Sequence, residues 1–165
     1  MDTQQIKLFI IDDNPQLVVD LRKYLESNFG ESLTIFTYNS SESALKSIDH
    51  ETDIVILDCD LPGEDGNEIL KSIKQQSPRT EVIMLTSNED VKTAIHAFRN
   101  GAADYVIKGE KADKKIGSLI YNIMAYPVRV LTREFGASKF FAIFLLTFIF
   151  VGLCVLLVLM WAAFD

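Results

Sequence analysis

The sequence predicts an α/β domain, a doubly wound parallel five-stranded sheet, followed by a C-terminal transmembrane helix. Three observations predict it: short apolar runs alternate with helical patterns five times, those runs show no polar alternation, and the chain closes on a long uncharged segment. Ile- and Val-rich runs without alternation suit strands covered on both faces. Strand–helix alternation with right-handed crossovers places helices on both sides of such a sheet.

The expected strands are Ile6–Ile11, Leu33–Phe36, Ile54–Leu57, Val82–Leu85 and a weaker Tyr105–Ile107. Asn14-Pro15 supplies a cap and a first-turn proline for a helix with Leu17, Val18, Leu21 and Leu25 at helical spacing. Ser40 or Ser41 caps a second helix with Ala44, Leu45 and Ile48 on one face. Asp65-Gly66 opens a third, carrying Ile69, Leu70 and Ile73, and Pro78 stops it. Asn88 is expected to cap a fourth, with Glu89 and Asp90 in its first turn, a buried stripe of Val91, Ala94, Ile95 and Phe98, and Gly101 at its end. A fifth presents Ile116, Leu119, Ile120 and Ile123. The expected soluble domain is 1–126, with a juxtamembrane linker at 127–138 and the membrane segment at 139–165.

From Phe140 to Phe164 there are 25 residues without a charge, 17 of them Val, Ile, Leu or Phe. As a helix that run reaches roughly 37 Å, against about 30 Å of hydrocarbon. Trp161 suits an interfacial anchor. Residues 1–126 carry a net charge of −8 and residues 127–139 a net of +2; Lys and Arg beside a span favour the cytoplasmic side. Val128, Leu131 and Phe135 share one helical face and Arg129 and Arg133 another, so the join reads either as an interfacial helix or as a plain connector. The polar start, Met1 to Gln5, does not read as a signal peptide. The expected location is a cell inner membrane, single-pass, with the domain cytoplasmic. An acidic body argues against nucleic-acid binding, which needs a basic footprint. Cys59 and Cys154 read as reduced thiols, and His50 and His96 as solvated residues.

Ligands of open α/β sheets bind at the carboxyl ends of the strands. Strand one ends in Asp12-Asp13, strand three in Asp58, strand four in Thr86 and strand five in Lys108. Clustered carboxylates take up protons or bind a cation, and oxygen-only ligands suit Mg²⁺. A carboxylate beside that ion can act as a nucleophile toward phosphorus, with Lys108 pairing the phosphoryl group and the Thr86 hydroxyl donating to it.

Asp12-Asp13, the segment Val55 to Gly66, Met84-Leu85-Thr86-Ser87 and Gly101 to Lys108 resemble the response-regulator receiver domain of two-component signalling, over roughly residues 5–124. The resemblance implies a flavodoxin-like sheet in the order 2-1-3-4-5. It implies that Asp58 is the phosphoacceptor and that Mg²⁺ is held by Asp13, Asp58 and the Asp60 backbone carbonyl, with Asp12 acting mainly through a metal-bound water. Thr86 and Tyr105 match the family's switch pair, and Lys108 its phosphoryl-contacting lysine. Asp60 and Asn88 fall near the path of the attacking water. Gly109 stands where the family usually has a cis proline; a cis bond without proline costs about 2.5–4 kcal/mol, so a trans loop is expected.

The partners implied are a sensor histidine kinase or a histidine phosphotransfer protein, and a downstream protein at the face of helix four, strand five and helix five. No second soluble domain is expected, so output falls to protein contacts or membrane location, or the domain drains phosphate as a sink. Two rival functions stay open, an aspartate-nucleophile phosphohydrolase, suggested by Asp58-Cys59-Asp60, and a non-signalling membrane scaffold.

Overall fold

The computed structural model describes residues 5–134 and 146–152, with the backbone alone over 126–134. Its five strands are β1 (Ile6–Ile11), β2 (Leu33–Tyr38), β3 (Ile54–Asp58), β4 (Glu81–Thr86) and β5 (Asp104–Ile107). They form one parallel sheet in the order β2-β1-β3-β4-β5. Every residue of β3 is buried, as are the last four of β1 and the last five of β4. The buried parts of these central strands, Leu8–Ile11, Ile54–Leu57 and Val82–Leu85, are continuous apolar runs, as burial on both faces requires.

Helices α1 (Pro15–Phe29), α2 (Ser41–Leu45), α3 (Gly66–Gln76), α4 (Val91–Arg99) and α5 (Ala112–Glu134) alternate with the strands. Asn14 caps α1 by accepting from Gln16 N and Leu17 N, with Pro15 in the first turn. Ser40, not Ser41, caps α2, which is short enough that Ile48 lies beyond its end. Asp65 caps α3. One core cluster joins Phe9, Ile11, Val55, Leu57, Leu70, Ile73, Val82, Met84 and Ala97.

Helix α4 departs from expectation twice. Asp90 is its cap, accepting from Lys92 N, while Asn88 sits in the preceding turn and accepts from Asp90 N. Both residues can cap, and the one directly before the helix prevails. The expected buried stripe is also wrong. Ala97 is fully buried and Ala94 packs on the core, whereas Val91, Ile95 and Phe98 are 68%, 47% and 49% exposed. Small side chains face the core, so the bulky apolar ones point outward.

Contacts divide the chain into two units, Met1–Ile123 and Met124–Asp165. The α5 backbone continues past Pro127 to Glu134, and the rest of the expected linker at 127–138 lies outside the described residues. A helical segment covers 146–152, where Leu146, Phe148, Ile149, Phe150 and Val151 are exposed. The expected span at 139–165 otherwise lies outside the described residues, among which no helix is long and apolar enough to cross a membrane.

Candidate functional site

Parallel register brings the candidate residues to one rim. Ile11 pairs with Leu57, Asp58 with Leu85 and Thr86 with Ile107, so the residues at or after these pairs emerge together. The loops are pinned by the main chain: Asp12 N donates to Tyr38 O, Cys59 N to Leu85 O, and Lys108 N to Thr86 O at 2.7 Å. Gly66 permits the close approach of α3 to this rim, since a Cβ there would lie 2.9 Å from Cys59 Cα.

Asp12, Asp13 and Asp58 each offer an oxygen within 4.8 Å of the others. Asp12 and Asp58 are buried, at 2% and 1% exposure, while Asp13 is exposed. Lys108 Nζ lies 2.7 Å from Asp58 Oδ2 and 3.4 Å from Asp12 Oδ2. The other oxygens are held by backbone donors: Asn14 N donates to Asp12 Oδ1 at 2.8 Å and Asp60 N to Asp58 Oδ1 at 2.9 Å. Asp12 Oδ2 is buried with no hydrogen-bond partner. A buried carboxylate oxygen left in that condition is costly, and a cation placed among these oxygens would satisfy it. The donor set is therefore suited to a hard divalent ion such as Mg²⁺.

Burial pushes the Asp12 carboxyl above its ordinary value and the Asp58 charge adds to the rise, against the Asn14 amide and Lys108. For Lys108, burial acts to lower the ammonium, but its hydrogen bond to Asp58 and the charges of Asp58 and Asp12 outweigh that and hold it above an ordinary lysine. Cys59 follows Asp58 and is half-buried; burial, then the charges of Asp58 and Asp60, push its thiol up to about 12.

Thr86 is buried, and its Oγ1 accepts from Asn88 N at 3.0 Å. The Tyr105 ring is turned inward at 8% exposure, its hydroxyl donating to Asn88 O at 3.3 Å, and burial raises that phenol. The Asp60 carboxylate stands apart from the three clustered acids and accepts from Ser87 N at 2.7 Å. That amide is a participant the sequence does not advertise, because a backbone N–H leaves no mark in residue type. The described residues contain no cis peptide, so Lys108-Gly109 is trans as expected.

A doubly wound domain with clustered carboxylates, a lysine and a hydroxyl at one strand-end rim defines a class of α/β proteins with an acidic site at the carboxyl ends of the strands. The family model "Response regulator receiver domain" matches residues 8–119, and the chain belongs to that family. The DNA-binding transcriptional regulator NtrC of Escherichia coli (strain K12) is 31% identical over 110 residues, covering 66% of this chain and 23% of the regulator. The transcriptional regulatory protein ResD of Bacillus subtilis is 31% identical over 107 residues, covering 64% of this chain and 43% of ResD. The chain thus spans less than half the length of either relative. Among solved structures, a response regulator receiver domain protein from Clostridium thermocellum superposes with a TM-score of 0.65 at 26% identity, covering 76% of this chain and 98% of that one. The BeF3-activated DrrB receiver domain gives 0.64 at 26% identity, covering 73% and 97%.

Proposed function

We propose that this receiver takes up a phosphoryl group on Asp58 from a sensor histidine kinase or a histidine phosphotransfer protein. The observation that carries the proposal is the buried Asp58 carboxylate, in reach of Asp12, Asp13 and the Lys108 ammonium. An Asp58 oxygen forms the new P–O bond as the donor's P–N bond breaks, and the electron pair of that bond returns to the imidazole nitrogen. Asp13, Asp58 and the Asp60 backbone carbonyl would hold Mg²⁺, with Asp12 acting mainly through water on the ion. Bound there, Mg²⁺ supplies positive charge against the incoming phosphoryl oxygens. Lys108 pairs with the same group, and the Thr86 hydroxyl turns from the Asn88 amide to donate to it. Tyr105 is the aromatic half of the switch.

Phosphorylation adds about −1.5 to −2 charges, enough to bias a face that differs by a few kcal/mol between two arrangements. The exposed Val91, Ile95 and Phe98 of α4, Ile107 of β5 and Tyr121 of α5 support that face as the contact for a downstream protein. In this reading the chain is a signalling phosphoacceptor and not a turnover enzyme. Residues 139–165 anchor it as a single-pass protein of the inner membrane with the receiver in the cytoplasm. The uncharged run from Phe140 to Phe164 and the exposed apolar side chains at 146–152 support the anchor.

The full chain in detergent, given Mg²⁺ and a small phosphodonor, should acquire one acid-stable, base-labile phosphoryl group, and Asp58→Asn none. Sustained turnover of a phosphate monoester would instead make it a phosphohydrolase. Deleting residues 139–165 should release the protein from membranes, and a truncated form that still sediments with them would remove the anchor from the proposal.

A further inference from the structure

One anion already sits on a backbone donor at this rim. Asp60 contacts the phosphoacceptor through its main chain, its amide donating to Asp58 Oδ1, while its side chain reaches across to β4 and accepts from Ser87 N at 2.7 Å. Ser87 directly follows Thr86, whose Oγ1 is occupied by the Asn88 amide. Leu85 pairs with Asp58 across the sheet, so the end of β4 carries two consecutive donors at the rim, the Thr86 hydroxyl and the Ser87 N–H, and the second is taken by a carboxylate. Oxyanions entering the rim meet that carboxylate as a like charge competing for the same donor.

We propose that Asp60 is an internal stand-in for a phosphoryl oxygen: its carboxylate occupies the Ser87 N–H in the resting site and leaves when a phosphoryl group arrives. Asp60 is then a positioning residue that sets how tightly the site holds the group. This rests on the phosphoacceptor reading of Asp58 and adds to it a displaceable anion belonging to this chain. Asp60 is exposed, so its carboxylate has solvent to move into once displaced.

The test uses the full chain in detergent micelles with saturating Mg²⁺, so that metal affinity does not enter, and beryllofluoride as the phosphoryl mimic. Asp60→Asn and Asp60→Ala keep the backbone carbonyl and amide. Each should bind beryllofluoride roughly tenfold more tightly, the fold-change expected for sparing one charge-assisted hydrogen bond that the ligand otherwise has to break. Without ligand, the Ser87 amide proton should move upfield in both variants. In the unsubstituted protein, the Asp60 carboxyl carbon resonance should shift on ligand addition. Glu64→Gln removes the same charge from the same loop without touching Ser87 and should leave affinity unchanged. Equal affinity in Asp60→Ala, an equal gain in Glu64→Gln, or an unmoved Ser87 resonance overturns the stand-in while leaving Asp58 as acceptor. Absence of binding in all forms overturns the phosphoacceptor reading, and this inference with it.

Discussion

Replacing Asp12 by Asn should stabilise the protein when Mg²⁺ is withheld, which tests whether the acidic rim is built for a ligand or for the fold. At an effective dielectric near 20, Lys108 at 3.4 Å attracts the Asp12 carboxylate by about 5 kcal/mol, and Asp58 within 4.8 Å repels it by about 3.5 kcal/mol. Asp13 is exposed and adds only about 1 kcal/mol of repulsion. The charges thus nearly cancel, and the remaining cost is the buried Oδ2, which has an ion-pair partner but no hydrogen bond, worth about 1–3 kcal/mol. Asn keeps the acceptor for Asn14 N, removes the charge, and carries an amide that can donate to the neighbouring Asp58 or Asp13 carboxylate. The variant should therefore gain about 1–2 kcal/mol at neutral pH, or about 3–8 °C in Tm, by circular dichroism in chelator. Because the folded carboxyl is raised, the folded protein binds this proton more readily than the unfolded chain does. Wild-type stability is accordingly lost as pH rises from about 4 through the folded value, and the variant's advantage shrinks toward zero below about pH 4. Mg²⁺ at ten times its Kd returns about 1.4 kcal/mol to the wild type and less to the variant, closing the gap. A variant less stable than wild type in chelator at pH 7 refutes the reasoning.

Gly66→Ala places a Cβ 2.9 Å from Cys59 Cα and should lower stability by about 1–3 kcal/mol in urea titration; an unchanged midpoint contradicts the close approach. Phe98→Ala should cost less than about 1 kcal/mol, and Ile73→Ala about 2–5 kcal/mol, because the first is half exposed and the second fully buried. The reverse order would restore the buried α4 stripe. Lys108→Met removes the cation that shares Asp58 and Asp12, so titrated Mg²⁺ should bind about three- to tenfold more tightly, while phosphoryl uptake slows. Weaker Mg²⁺ binding would show that the lysine organises the carboxylates instead of competing for them.

The sheet was legible where burial is complete. Strand β1 stands at the expected residues, because the apolar run Leu8–Ile11 that forms its buried part has few other homes in a small α/β domain. Strand β2 runs two residues further than its apolar run because it is an edge strand, where Thr37 is exposed and Tyr38 only half-buried. Helix α4 hides its inward face from the sequence for the opposite reason: Ala94 and Ala97 fill the core contact and leave the larger apolar side chains outside. The α5 backbone runs through Pro127, so a proline in the sequence marks a missing donor there and not the end of the helix. The acid trio, hydroxyl and lysine were readable because each terminates a recognisable strand. The Asp60–Ser87 bond was not, since half of it is main chain.

Cys59 shows what the acidic rim does to a bystander. A sulfur next door to an acyl phosphate is a natural thief: as thiolate it would attack phosphorus and carry the group off as a thioester of phosphoric acid. With its thiol pushed up to about 12, only about one molecule in 10⁵ holds thiolate at pH 7. Burial first, and the neighbouring carboxylates after it, thus keep that nucleophile silent, and on the phosphoacceptor reading water is left as the competitor for the group on Asp58.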